Sequence, residues 1–390
     1  MNYNREYNQA NMIRFFQNGC KKSSQPLQFG LELEHFVVHS NSQESLSYNG
    51  EQGIEALMKK IKPLYEESFY SQGHLIGLSR QDLSVSLEPA AQLEVSISPQ
   101  MDVKTIHEIY QQFYEEIVSV LTEWNCELVT MGYQPKSKAA DLELIPKTRY
   151  EFMDRYFAGI GPYGRQMMRG TAATQVSIDY YSEEDFGKKY KAAMLLGNMF
   201  LELCLNTPVY EGMPLKDEHL DGKVPRLVIW NNTDARRVDI SPFLQDNAID
   251  FKGYSDFVMQ TPVIVKMQGA EETFSNMTIG EICDERKLEE EELEHVLSMV
   301  FPMIRLKHYM EIRLADSMPI ESVLCYIILI KGLFIDIDDT LSYLQNWNKE
   351  KSRQECLNEC LAIVYRHISA KETQYVMQFQ EELKHGTILK

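Results

Sequence analysis

Acidic side chains recur where an extended chain would present them side by side. In FGLELEHFVV, residues 29–38, Leu31 and Leu33 alternate with Glu32 and Glu34, so both carboxylates leave the same face of a strand. Gln92 and Glu94 repeat this geometry in a second stretch. Thr171, Ala173, Gln175, Ser177 and Asp179 share one face of a third, and Glu311 and Arg313 share a face of a fourth. Glutamate is disfavoured in strands and costly to bury, and like charges this close repel unless a cation lies between them. Oxygen-rich clusters suit hard cations, Mg²⁺ or Mn²⁺, and the triphosphate such ions accompany. For one strand alone, the solvent face of a two-sided antiparallel sheet explains the pattern better. Four strands with the same oddity favour a shared binding surface.

Basic residues supply the complement. Arg305, Lys307 and Arg313 cluster in RLKHYMEIR, and Arg236 and Arg237 follow Trp230. Such groups neutralise transferring phosphoryl oxygens or hold a carboxylate bidentately. Ordinary surface pairing with the many acids is the plainer alternative. Nothing matches GxxxxGK[ST], a GxGxxG after a strand, or GxSxG. His35 leaves the strand on the face opposite Glu34 and reads as a packing or surface histidine, and His74 and His308 read as structural.

The elements that must position these groups follow from periodicity. Strands are expected at residues 29–38, 83–98 with Pro89 splitting them, 127–132, 171–181, 226–230 and 309–314. Helices are expected between them. In residues 103–124 Ile106, Ile109, Phe113, Ile117, Leu121 and Trp124 recur every three or four positions, with Asp102 as cap. Residues 188–205, 288–300, 322–344 and 353–383 are the other helical stretches, and the acidic run EEEELE is a solvated helix face. Strands and helices alternate irregularly, which argues for α+β with an antiparallel sheet.

Composition narrows the classes. The 390 residues are 44 % hydrophobic and 25 % charged, enough for a sizeable core. A net charge of −18 disfavours nucleic acid and anionic membrane as partners. The longest apolar run, near Tyr326 to Ile330, is too short to span a bilayer. The N-terminal stretch lacks the apolar core of a signal peptide, and seven scattered cysteines suit a reducing cytosol, so the expected location is cytoplasmic.

Several stretches, taken in order, resemble the glutamate–cysteine ligases of plant and bacterial type: FGLELEHF, SLEPAAQLEVS, MGYQPKSKAADLELIPKTRYEFM, MMRGTAATQVSIDYYSEEDF, NTPVYEG with RLVIWNNTDARR and SPF, and FPMIRLKHYMEIRLADSMP. They run from Phe29 to Pro319. The resemblance implies the α+β fold of the glutamine synthetase and guanidino kinase superfamily, a curved antiparallel sheet covered by helices. It implies one catalytic domain over residues 1–390, helical from about residue 320. It implies ATP with Mg²⁺, or Mn²⁺, held by Glu32, Glu34, Glu88, Glu94 and Glu311. Gln175, Arg305, Lys307 and Arg313 would face the nucleotide. Arg313 would steady the transferring phosphoryl, and Arg237, with Arg236 a near alternative, would hold the glutamate carboxylate. Arg149 and Tyr150 match the family without an assigned role.

The activity implied is synthesis of γ-glutamylcysteine from L-glutamate and L-cysteine through γ-glutamyl phosphate, the first step toward glutathione-type thiols. Rival readings are the same ligation with another amine acceptor, a phosphotransferase, and a nucleotide-binding protein without turnover. The chain departs from the family at Ala90 and Ala91, where glycines are usual, and at Ala172, Ala173, Ser177 and Leu314. No departure removes a carboxylate, so they bear on the acceptor more than on the phosphoryl chemistry.

Overall fold

Strand β1 (Phe29–His39) is the axis of the molecule. A computed structural model describes residues 3–214, 225–268, 271–345 and 353–384. In it β1 lies inside a nine-stranded sheet whose paired neighbours are all antiparallel. On one side of β1 come β5 (Leu93–Gln100), β4 (Leu83–Leu87), β3 (His74–Arg80) and β2 (Glu67–Ser71). On the other come β7 (Ala173–Ile178), β13 (Met310–Asp316) and β12 (Ile304–Leu306), and β6 (Cys126–Val129) pairs with the far half of β1. The period-two alternation carries Leu31, Leu33, Val85, Leu93, Val95 and Ile97 into the core and leaves the polar set on the opposite, functional face.

Helices close the apolar face. The Asp102 side chain accepts from the Thr105 N–H and starts α3 (Val103–Glu123), which packs on β5 and β6. Ser182 caps α5 (Glu183–Leu203), which packs on β13. The nearly all-apolar α11 (Ile320–Phe334) is buried between α3, α13 (Arg353–His367) and α14 (Ala370–Lys384). Around these lie α1 (Tyr3–Gly19), α2 (Ile54–Ile61), α4 (Thr148–Phe157), α6 (Pro225–Asn231) and α7 (Ala235–Val238). Further on are α8 (Phe251–Gln260), α9 (Ile279–Glu285), α10 (Glu290–Leu297) and α12 (Ile337–Gln345). Two hairpins, β8 (Val209–Tyr210) with β9 (Met213–Pro214) and β10 (Pro262–Gln268) with β11 (Glu271–Thr278), stand apart from the large sheet. One apolar cluster runs from Met12 to Val376. No helix of the described residues is long and apolar enough to cross a membrane.

The large antiparallel sheet with helices matches the expected α+β class. The expected strand at residues 226–230 is instead helix α6. Its β-branched and aromatic residues suggested a strand, but Pro225 at the first helical position supplies the fixed φ and needs no hydrogen bond there. The long C-terminal stretches each divide in two. One breaks at Asp336, whose carboxylate accepts from the Asp339 N–H, and the other at Ser369, which exchanges hydrogen bonds with Glu372 in a Ser-x-x-Glu box. The β2–β3 and β10–β11 hairpins were not foreseen; β2 is an exposed edge strand without strict alternation.

Candidate active site

Cross-strand register assembles the acids. Glu34 on β1 stands opposite Glu94 on β5, which stands opposite Ser86 on β4. In the next row Glu32 lies between Gln175 on β7 and Ser96 on β5. In the row beyond, Gly30, Ser177, Glu311 and Arg305 follow one another across four strands. Directly opposed residues share a face, and from these rows Glu32, Glu34, Ser86, Glu94, Gln175 and Arg305 line one cleft of about 280 Å³.

The cleft has an acidic side and a basic side. Glu32, Glu34, Glu88 and Glu94 line the acidic side. Burial, with Glu311 and then Glu94 as like charges, pushes the Glu32 carboxyl up to about 7. Burial, reinforced by Glu88, pushes Glu94 up to about 7 as well. Glu34 is held well above its ordinary value by burial and by Glu88 and Glu94, and burial raises Glu88. On the basic side Glu311, 0 % exposed, takes a bidentate pair from Arg305 at 2.6 and 2.9 Å and a third contact from Arg313 at 3.0 Å. Lys307 stands 3.5 Å away. Despite its burial, the three cations Arg305, Lys307 and Arg313 hold Glu311 well below the usual carboxylate range. Arg313 also donates to the Gln175 side-chain oxygen.

Neutral groups brace the acids. Glu34 accepts from the Ala173 N–H at 2.9 Å and from the Gln175 amide at 3.0 Å, and Glu94 accepts from the Ser86 hydroxyl at 2.8 Å. Glu88 sits at the start of a tight connection between β4 and β5. Its N–H donates to the Gln92 carbonyl at 3.0 Å, and its carbonyl accepts from the Ala91 N–H at 2.9 Å. Ala91 pays for this turn with φ +64°, the left-handed region in which glycine is at home. The Gln92 side chain ties the turn to the Met168 and Thr171 carbonyls at 3.3 and 3.2 Å. The π-helical turn Gln166–Gly170 thereby borders the cleft.

The structure brings together Glu32, Glu34, Glu88, Glu94, Gln175, Arg305, Lys307 and Arg313, and sets Glu311 directly beneath the last three. It does not bring Arg237 there. Arg237 is 0 % exposed and donates to Asp234 at 3.1 Å, to the Pro262 carbonyl at 2.9 Å and to the Met299 carbonyl, with Tyr156, Phe157 and Phe301 around its guanidinium. The expectation that Arg237 binds a substrate carboxylate is therefore corrected: it ties α7 to the start of β10 and to the segment before β12. Arg236 is exposed and bonds the Tyr156 hydroxyl at 2.9 Å, also outside the lining.

Sequence reasoning missed three cleft residues. Lys147 lies over the Tyr150 ring at 4.7 Å. Arg226 is buried, donates through Nε to the Arg313 carbonyl at 3.2 Å and stacks 5.4 Å from Trp230; among the described residues its Nη1 has no partner. Trp230 is the third. A spacing of four puts Arg226 and Trp230 on one side of a strand or a helix alike, so the wrong element type did not hide the pair. What the sequence lacked was any sign of which side met the cleft.

Among the described residues no three acids, histidines or cysteines stand close enough to hold one metal ion together. The donor chemistry nevertheless fits a divalent cation: four carboxylates crowd one side, and two are pushed up to about 7. Such groups take either protons or a hard cation.

Comparison with known proteins identifies the family and the fold. The family model for glutamate-cysteine ligase family 2 matches residues 28–378. The chain is 30 % identical over 347 residues to the chloroplastic glutamate–cysteine ligase of Brassica juncea, covering 85 % of this chain and 65 % of that protein. It is 30 % identical over 344 residues to the one of Arabidopsis thaliana, covering 85 % and 63 %. The chain thus spans less than two thirds of the length of these relatives. The crystal structure of a glutamate–cysteine ligase from Francisella tularensis in complex with AMP superposes with a TM-score of 0.53 at 11 % identity, over 93 % of this chain and 82 % of that one, and shares the fold.

Proposed function

The chain belongs to glutamate–cysteine ligase family 2, and on that premise we propose that it uses ATP to join the γ-carboxylate of L-glutamate to the amino group of L-cysteine. The observation that carries the reading is the division of one sheet face into a crowded carboxylate side and a cationic side anchored on Glu311. Like-for-like repulsion between a triphosphate and a second anion is the obstacle in such a reaction, and a surface of this kind removes it.

In this reading the γ-carboxylate oxygen of glutamate attacks the γ-phosphorus of ATP, ADP leaves, and γ-glutamyl phosphate forms. The acceptor amine then attacks the carbonyl carbon, the C–O bond to phosphate breaks, and the amine proton is lost to solvent. Glu32, Glu34, Glu88 and Glu94, with Glu311 adjoining, would hold Mg²⁺ or Mn²⁺, which when bound neutralises phosphate charge. Arg305, Lys307 and Arg313 face the phosphoryl oxygens, and Glu311 and Gln175 keep Arg313 aimed. Arg226, which lines the cleft beside Arg313, takes the role of gripping the α-carboxylate of glutamate. Lys147 and Arg149 flank the approach. Cys20, Cys126, Cys204, Cys283, Cys356 and Cys360 carry free thiols, and action in a reducing cytoplasm is part of this reading.

The test is ATP turnover with glutamate, with and without cysteine, and mass identification of the product. Cysteine-dependent phosphate release with γ-glutamylcysteine is the expected result. Another amine giving faster turnover would reassign the acceptor. A stable phosphorylated product with no amide would overturn ligation itself.

A further inference from the structure

The acceptor amine reaches the cleft as an ammonium, which has no lone pair for attack. A group on the protein must take a proton from it before it can reach the carbonyl carbon. Few side chains of the cleft qualify. Among the described residues no histidine, cysteine or aspartate lines it. The guanidinium groups of Arg149, Arg226, Arg305 and Arg313 do not deprotonate. Glu32, Glu34, Glu88 and Glu94 are committed to the divalent cation in the ligase reading. Lys307 is tied to Glu311 at 3.5 Å and to the Tyr309 hydroxyl at 3.2 Å.

Lys147 remains. It is half-buried in the cleft wall, and among the described residues its Nζ makes no hydrogen bond and no ion pair. Its segment is fastened on both sides of Glu88. The Ile145 N–H donates to the Pro89 carbonyl at 3.0 Å, and the Tyr150 hydroxyl donates to the Leu87 carbonyl at 3.1 Å. The amine lies over the Tyr150 ring, 4.7 Å from its centre. Lys147 is also the N-cap of α4, a position that favours Ser, Thr, Asp or Asn, and its side chain caps nothing. A cation is disfavoured at that positive end of a helix. A residue that breaks two local preferences is explained by use rather than by stability. Burial, then the Arg149 guanidinium, holds the amine below its ordinary value, against the opposing pull of Glu88, Glu94 and Glu272. A larger share of neutral amine follows.

We infer that Lys147 is the base that takes a proton from the acceptor amine. The inference rests on the ligase reading and adds a catalytic residue to it. Two N–H protons leave the ammonium. Lys147 accepts the first on its Nζ lone pair, which frees the acceptor's lone pair to attack the carbonyl carbon. The second leaves with the phosphate as the C–O bond breaks and its electron pair goes to the phosphate oxygen. Lys147 then returns its proton to solvent before the next turnover.

Cysteine and hydroxylamine serve as paired acceptors for the whole chain with MgATP and glutamate. Hydroxylamine is already unprotonated near neutral pH, needs no base, and converts γ-glutamyl phosphate to a hydroxamate. Lys147→Met and Lys147→Arg are each expected to lower kcat with saturating cysteine by about 100-fold or more, while hydroxamate formation falls by less than about threefold. Arginine keeps the positive charge and cannot act as a base. Near-parental cysteine turnover in Lys147→Arg would therefore overturn the assignment, because charge alone would suffice. Equal losses with both acceptors would overturn it as well, because the fault would lie in phosphoryl transfer or in the fold. A parent protein that forms neither γ-glutamyl product would overturn the ligase reading itself.

Discussion

Replacing Glu94 by Gln should make the protein more stable and worse at its proposed task. Burial, with Glu88 as the nearest like charge, pushes the Glu94 carboxyl from its ordinary 4.5 up to about 7. The native state therefore keeps this proton to higher pH than the unfolded chain does. Stability falls as pH rises from about 4.5 to about 7 and levels off above that. One pKa unit is worth about 1.4 kcal/mol, so ionising Glu94 costs the fold about 3 kcal/mol at pH 8 and under about 1 kcal/mol at pH 5. Glutamine carries no such cost, and its amide oxygen can still accept from the Ser86 hydroxyl, now at 2.8 Å from the carboxylate. With an unfolding entropy of roughly 2.1 cal/mol/K per residue over 390 residues, 3 kcal/mol corresponds to about 3–4 °C. Thermal melts without divalent cation, at pH 8 and pH 5, should show Glu94→Gln melting higher at pH 8 and nearly level with the parent at pH 5. Titrated MgCl₂ at pH 8 should then raise the parent's midpoint far more than the variant's. Equal midpoints at pH 8, or an undiminished magnesium response in the variant, would refute the reasoning.

Other consequences can be checked alongside. Magnesium affinity of the parent should increase from pH 6 to pH 8 and its binding should release protons, since Glu32 and Glu94 both titrate near 7; calorimetry in two buffers of different ionisation enthalpy measures the release. Arg226→Ala should raise the glutamate KM about 10- to 100-fold by removing a charge-assisted carboxylate contact, and an unchanged KM in steady-state kinetics would withdraw that role. Arg237→Ala should instead destabilise the fold by about 3–5 kcal/mol, because it strands the buried Asp234 carboxylate, and denaturant titration would show it. Ala91→Gly should stabilise the β4–β5 turn by about 1 kcal/mol by removing the left-handed strain at φ +64°. Gly197→Ala should add about 0.5–1 kcal/mol through helix propensity, since its methyl group has room; a lower melting midpoint would contradict the open space beside Leu314.

The acidic set was legible before any folding was considered because strands impose a rigid rule. Residues two apart share a face, so Glu32 with Glu34 and Glu311 with Arg313 could be paired on paper. The helix over residues 103–123 was equally plain, since six apolar positions repeat at the helical period and Asp102 stands ready to cap it. Neither rule reaches across strands. That Glu34 faces Glu94, and that Glu311 sits beneath three cations, follows from register, which depends on how distant segments pack. Arg237 shows the limit most clearly. Its chemistry suits a carboxylate grip, but Asp234, Met299 and Pro262 claim its guanidinium, and those neighbours meet only in the folded chain. Local periodicity specifies which way a side chain points; only packing specifies what it points at.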